Sequence, residues 1–108
     1  MKPIAVVTTV ANREDAHRLA RTLVERKLAA CAQISEIESI YRWQGAVQQE
    51  PELRVLFKTT DERYELVEST IRELHPYELP CVVAWPIAGG SAAYLAWIAA
   101  ETADPSGA

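Results

Sequence analysis

The residues with the most chemical potential lie in one short run, His75-Pro76-Tyr77-Glu78-Leu79-Pro80, which sets an imidazole, a phenol and a carboxylate side by side. A neutral imidazole and a carboxylate, joined by a thiolate from elsewhere in the chain, suit a borderline or soft divalent ion such as copper or zinc. Cys31 could be that thiolate if the second strand passes the end of the helix that precedes His75. The competing reading is structural: His75 interacts with the carbonyl end of that helix while the prolines fix the loop. Lys58 stands just before Thr59-Thr60 and a helix start, where its ammonium could join backbone N–H groups in holding a small anion. A salt bridge to one of the 15 acidic residues is the commoner fate of such a lysine. His17 falls on the outer side of a helix and reads as solvated. The chain contains no C-x-x-C, H-x-x-x-H or H-E-x-x-H, so a permanent closed metal site is not expected and any metal would be held transiently. G-x-S-x-G, P-loop and dinucleotide fingerprints are missing as well, and the chain reads as a binding protein rather than an enzyme. Cys31 could serve as a nucleophile only if the fold brought it to His75.

These residues depend on a simple series of elements. Ile4 to Val10 is a nearly continuous β-branched run, the pattern of a buried strand. Asn12 offers an N-cap, and Ala16, Leu19, Ala20, Leu23, Val24 and Leu28 recur at helical spacing, closed by Arg26 and Lys27. Ala30 to Thr60 reads as two strands folded about Gln44-Gly45. The apolar phase slips between Ile34 and Ile37, which predicts a bulge near Ser35-Glu36. The return arm alternates cleanly, with Leu53, Val55, Phe57 and Thr59 on one face and Glu52, Arg54, Leu56 and Lys58 on the other; Pro51 marks an edge, kink or bulge. Thr59-Thr60-Asp61-Glu62 fits a capping box ahead of the stripe Tyr64, Val67, Ile71 and Leu74, and His75-Pro76 stops that helix. Cys81 to Ile87 reads as a last strand, followed by a short helix through Tyr94, Leu95 and Ile98 and a frayed tail over 104–108. The order is β-α-β, β-α-β, α, an α+β ferredoxin-like antiparallel sheet in a single domain over 1–103, with two helices on one face and the other face open.

Length makes the hairpin informative. Each arm holds roughly fifteen residues, or about 50 Å of strand, whereas a compact chain of this size has a radius of gyration near ~13 Å. The distal half, with Ile40, Tyr41 and Trp43, should therefore project beyond the core and require another copy of the chain to bury it. Tyr41, Trp43 and Trp85 read as packing residues at that seam. A net charge of -4 with no basic block argues against nucleic acid, and no apolar run is long enough to cross a bilayer. The N-terminus has no export-signal pattern, so a cytosolic protein is expected, and Cys31 and Cys81, set in apolar runs, read as buried free thiols.

With these segments in order, the chain resembles the divalent-cation tolerance family, the CutA proteins. The resemblance rests on Val7-Thr8-Thr9 with Glu14-Asp15-Ala16, Leu28-Ala29-Ala30-Cys31, Ser39-Ile40-Tyr41-Arg42-Trp43-Gln44-Gly45, Lys58-Thr59-Thr60, His75-Pro76-Tyr77-Glu78-Leu79-Pro80 and Tyr94-Leu95-Ala96-Trp97. It implies a fold similar to the PII trimers, a cytoplasmic homotrimer and a link to tolerance of copper or another divalent cation. It also implies metal-binding roles for Cys31, His75 and Glu78, and ligand-binding roles for Lys58 and Tyr77, at clefts between subunits. A second reading is a PII-like sensor, in which a small anionic ligand at Lys58 signals to a protein partner. The chain departs from the family pattern at Ala11, where proline is common, and at Cys81, where a carboxylate is frequent; the latter exchanges a hard ligand for a soft one.

Overall fold

The β-branched N-terminal run becomes strand β1 (Pro3–Val10), central in a computed structural model that describes residues 1–103; the tail expected to fray lies outside the described residues. Helix α1 (Arg13–Glu25) follows, and the Asn12 side chain caps it by accepting the Asp15 N–H at 2.9 Å. Strands β2 (Cys31–Trp43) and β3 (Ala46–Thr60) form the hairpin, then come α2 (Tyr64–Leu74), β4 (Val83–Pro86) and α3 (Ala92–Glu101). The sheet order β2-β3-β1-β4 with antiparallel pairing throughout is the ferredoxin-like arrangement.

One sheet face meets α1 and α2. Val6, Val10, Val55 and Phe57 interlock there with Leu19, Leu23, Val67 and Ile71, all fully buried. Each such side chain stabilises the fold by about 1.5–3 kcal/mol relative to leaving it in water. Val24, expected on the same stripe, is exposed. The second face is not left open as the element order suggested: α3 crosses part of it, its Tyr94 reaching Cys31 and Lys58. Ala92 to Glu101 is apolar nearly all round, the sign of a helix that meets partners on more than one side.

The hairpin projects as its length demands. β1 pairs with β3 only from Leu53 onward, so the distal half, Ile37–Trp43 against Ala46–Glu52, is a ribbon of two strands with no third. The molecule is accordingly elongated, 46 × 27 × 21 Å, with a radius of gyration of 14.5 Å. The anticipated bulge at Ser35-Glu36 is not formed; every residue from Cys31 to Trp43 keeps one unbroken register with β3. The shift of apolar phase has another cause. Ile34 packs against the helical core, whereas Ile37 lies where the third strand ends and the helix layer no longer dictates which face is apolar. Pro51 sits in register on that ribbon, beyond the reach of β1, where its missing N–H leaves no gap in a ladder. Gln44 and Gly45, at φ 50° and 80°, make the two-residue turn that matches strand twist.

Two end-signals behave differently from expectation. Thr60 makes no side-chain cap; a 3-10 turn, Asp61–Arg63, precedes α2, and the Thr59 hydroxyl donates at 2.7 Å to the Leu28 carbonyl in the core. The end of α1 closes through paired bonds, Lys27 N–H to Val24 O and Leu28 N–H to Leu23 O, with Lys27 held at φ 60° in the left-handed region usually given to glycine. Lys27→Gly should therefore stabilise the fold by about 0.5–1 kcal/mol despite its looser unfolded chain, read as a higher urea midpoint at unchanged slope.

Candidate functional site

His75 ends α2 in an extended conformation, as the following proline requires, and its ring turns back against the end of β1. β4 pairs with β1 only as far as Val7, so the outer edge of β1 would be bare at Thr9. The imidazole fills that place: Nε2 lies 2.8 Å from the Thr9 carbonyl, while Nδ1 accepts the Tyr77 N–H at 3.1 Å. A carbonyl can only accept and an amide N–H can only donate, so this pair of bonds specifies the neutral ring with its proton on Nε2. Burial holds the imidazole pKa below its ordinary 6.5, with the Thr9 bond and the Asp15 and Glu52 carboxylates opposing and Arg18 adding to the shift. Both ring nitrogens are thus engaged, and a metal ion could take one only by displacing Thr9 or Tyr77.

From His75 the network continues outward. The Tyr77 ring packs against the imidazole at 4.8 Å between centroids, and its hydroxyl donates to Glu52 at 2.7 Å; burial and that carboxylate push the phenol pKa well up. Tyr41 donates in the same manner to Glu50 on the ribbon, which raises its pKa in turn. Between the ribbon and the His75–Cys81 loop runs an open groove of about 990 Å³. Its charged lining is four carboxylates, Glu38, Glu50, Glu52 and Glu78, against the single guanidinium of Arg42. Tyr41, Trp43 and Tyr77 supply aromatic walls. Cys81 opens on the groove and is exposed rather than buried, its thiol pKa raised by partial burial and then by Glu52.

The remaining site residues gather elsewhere. Cys31 and Lys58 are cross-strand partners on the α3 side of the sheet; the thiol lies 3.8 Å from the Tyr94 hydroxyl and the ammonium donates to the same oxygen at 3.2 Å. That hydrogen bond raises the Lys58 pKa. Lys58 therefore turns to α3 rather than to the start of α2, and among the described residues no carboxylate lies within salt-bridge distance of it. Cys31, half-buried, does not pass the end of α2: it faces Tyr94, whereas His75 is bound to Thr9 and Tyr77. Within one chain, then, His75, Tyr77 and Glu78 belong to one region, and Cys31 with Lys58 to another. Among the described residues no three His, Cys, Asp or Glu side chains are placed to hold a metal ion. His17 is exposed, as its helical position implied.

Sequence reasoning overlooked Thr9, Glu52 and Tyr94. Thr9 contributes only a backbone carbonyl, which residue type cannot reveal. Glu52 stood on the face of β3 opposite Leu53 and Val55, with nothing in its spacing to single it out. Tyr94 carried a readable signal, the apolar character of α3 on all sides.

The model of the CutA1 divalent ion tolerance protein family matches residues 4–101 of the chain. The chain belongs to the CutA1 divalent ion tolerance family. This CutA1 chain is 44% identical over 98 residues to the divalent-cation tolerance protein CutA of Thermus thermophilus, a match that spans 90% of this chain and 95% of the relative. The solved structure of the Thermus protein superposes with a TM-score of 0.90 at 42% identity, covering 94% of this chain and 99% of the other. The periplasmic divalent cation tolerance protein CutA from Archaeoglobus fulgidus gives a TM-score of 0.91 at 33% identity, with 94% and 99% covered. The chloroplastic CutA of Arabidopsis thaliana is 42% identical over 100 residues, covering 92% of this chain and 55% of that longer protein. CutA1 relatives thus occupy more than one compartment, and the fold alone assigns none to this chain. No helix among its described residues is long and apolar enough to cross a membrane.

Proposed function

We propose that this CutA1 chain serves divalent-cation tolerance as a cytoplasmic homotrimer that takes up copper or a related divalent ion, transiently, at clefts between subunits, and that it has no catalytic activity. The observation that carries this reading is a pair of unlike apolar surfaces on one chain. The ribbon exposes Ile40 at 65% and Val47 at 64%, while β4 and α3 expose Trp85 at 44% and Trp97 at 40%. Two unlike patches that cover one another suit a head-to-tail contact, which closes into a ring when the rotation between neighbouring copies closes. The proposed ring would set the groove under the ribbon of one copy against the Cys31 and α3 region of the next, and so join the two clusters that stay apart within a chain. Glu78 and Cys31 would then be ligands from neighbouring copies. His75 would join them only after giving up a hydrogen bond, which suits weak, reversible binding better than a structural site.

Calorimetric titration of Cu(II) into the assembled protein tests this. Cys31→Ala and Glu78→Gln are each expected to lower affinity about tenfold or more, the effect of removing one ligand or its support. Equal affinity in both variants and the parent chain would remove these ligands from the reading.

A further inference from the structure

The ribbon leaves the body at a defined point. Val10 is the last residue of β1 to pair, with Leu53, so Glu52 is the first residue of β3 with a strand on one side only. There a series of side chains takes over from the ladder. The Thr9 carbonyl near the end of β1 is bound by His75 Nε2, His75 Nδ1 accepts the Tyr77 N–H, and the Tyr77 hydroxyl donates to Glu52, at 2.8, 3.1 and 2.7 Å. These bonds lead from the body, around the end of β1, to the root of the ribbon. His75 and Glu52 are only 8% and 9% exposed, although Glu50 and Pro51 beside Glu52 are exposed. The last bond, from a phenol to a shielded carboxylate, belongs to the stronger, charge-assisted kind. A metal ion that takes either nitrogen of His75 breaks the series: loss of Nε2 frees the ring from β1, and loss of Nδ1 frees the Tyr77 backbone from the ring.

We infer that Thr9, His75, Tyr77 and Glu52 form a brace that couples occupation of His75 to the ribbon: intact, it fixes the root of the ribbon against β1, and a ligand on the imidazole releases it. For the identity of that ligand, copper, this rests on the metal reading above; what it adds is a regulation of the same site, placed on the element that the proposed ring uses as its seam. Coupling of this kind is reciprocal. If metal uptake must open the brace, a chain whose brace is already open binds the metal more tightly, because the cost of opening has been removed. Tyr77 is then a positioning residue that holds His75 away from the metal, an effect opposite in sign to that of a ligand.

The test compares the full-length assembled protein, at one concentration, with Tyr77→Phe and Glu52→Leu, which break the same bond from opposite ends. Without metal, hydrogen exchange over residues 36–39 and 50–53, the root of the ribbon, should quicken about tenfold or more in both variants, while β1 and α1 exchange as in the parent. Saturating Cu(II) should quicken exchange over the same residues in the parent and add nothing in either variant. By calorimetry both variants should bind Cu(II) about threefold or more tightly than the parent, whereas a ligand role for Tyr77 or Glu52 requires weaker binding. Either variant alone keeps the test decisive if the other fails to fold. Parent-like exchange at the ribbon root in the variants, or Cu(II) affinity equal to or below that of the parent, would overturn the brace. The metal reading fails by a different result, parent-like affinity in Cys31→Ala and Glu78→Gln. A parent that binds Cu(II) with no change in ribbon exchange would keep the metal and overturn the coupling.

Discussion

A chain carrying Ile40→Glu and Trp43→Glu together is expected to sediment as a single copy at micromolar concentration, where the parent protein is expected to run as the proposed trimer. Both residues lie on the ribbon, where β3 is paired with β2 alone and no helix covers either face. In a monomer the substitutions meet water and cost little. At a seam between copies each would bury a carboxylate without a partner, a loss of several kcal/mol per site. The helical core does not contact these positions, so far-ultraviolet circular dichroism of the variant should retain the helices. A variant that stays trimeric would place the seam elsewhere and sink the ring arrangement.

His75→Ala should lower the stability of the fold by about 2–4 kcal/mol, measured by urea unfolding at fixed protein concentration. Two partly buried groups lose their partners at once, the Thr9 carbonyl and the Tyr77 N–H. His75→Gln, with a donor and an acceptor on one amide, should recover part of the loss. The same residue gives the protein a specific acid response. Its folded pKa lies below the ordinary 6.5, so between the two values the unfolded chain binds more protons than the folded one. The contribution is complete above pH 6.5 and is lost as pH falls through the lowered folded value. This component of the pH profile should vanish in His75→Ala. If the variant keeps both the stability and the acid response of the parent, the imidazole is not the clasp described above.

The sequence foretold the scaffold better than the meetings between its parts. α1 and α2 announced themselves because the core imposes a helical period on each, and β1 because its central place in the sheet buries both of its faces and demands a nearly continuous apolar run. The return arm alternated cleanly because one of its faces meets that core, up to Leu53, where β1 ends. Beyond that point no layer enforces inside and outside, and the first arm's irregular phase was mistaken for a bulge. The hydrogen-bond partners of the site were hidden for a different reason. Tyr94 is 63 positions from Cys31, and His75 is 66 from Thr9, so these contacts follow from topology rather than from local spacing. Cys81 illustrates the limit from the other side. Its apolar neighbours suggested burial, yet the strand they form starts only at Val83 and lies at a sheet edge with every residue exposed in the single chain.

The ribbon has a further consequence. Its peptide bonds are tied to the rest of the molecule only through the proximal strands, so the tip can open and reclose while the helical body stays folded. Amide protons there should exchange at a rate governed by the concentration of neighbouring copies, and those of the body should not. Evolution is thereby offered two nearly independent dials: changes near Tyr41 retune who meets whom, and changes near Phe57 retune how long each chain survives heat.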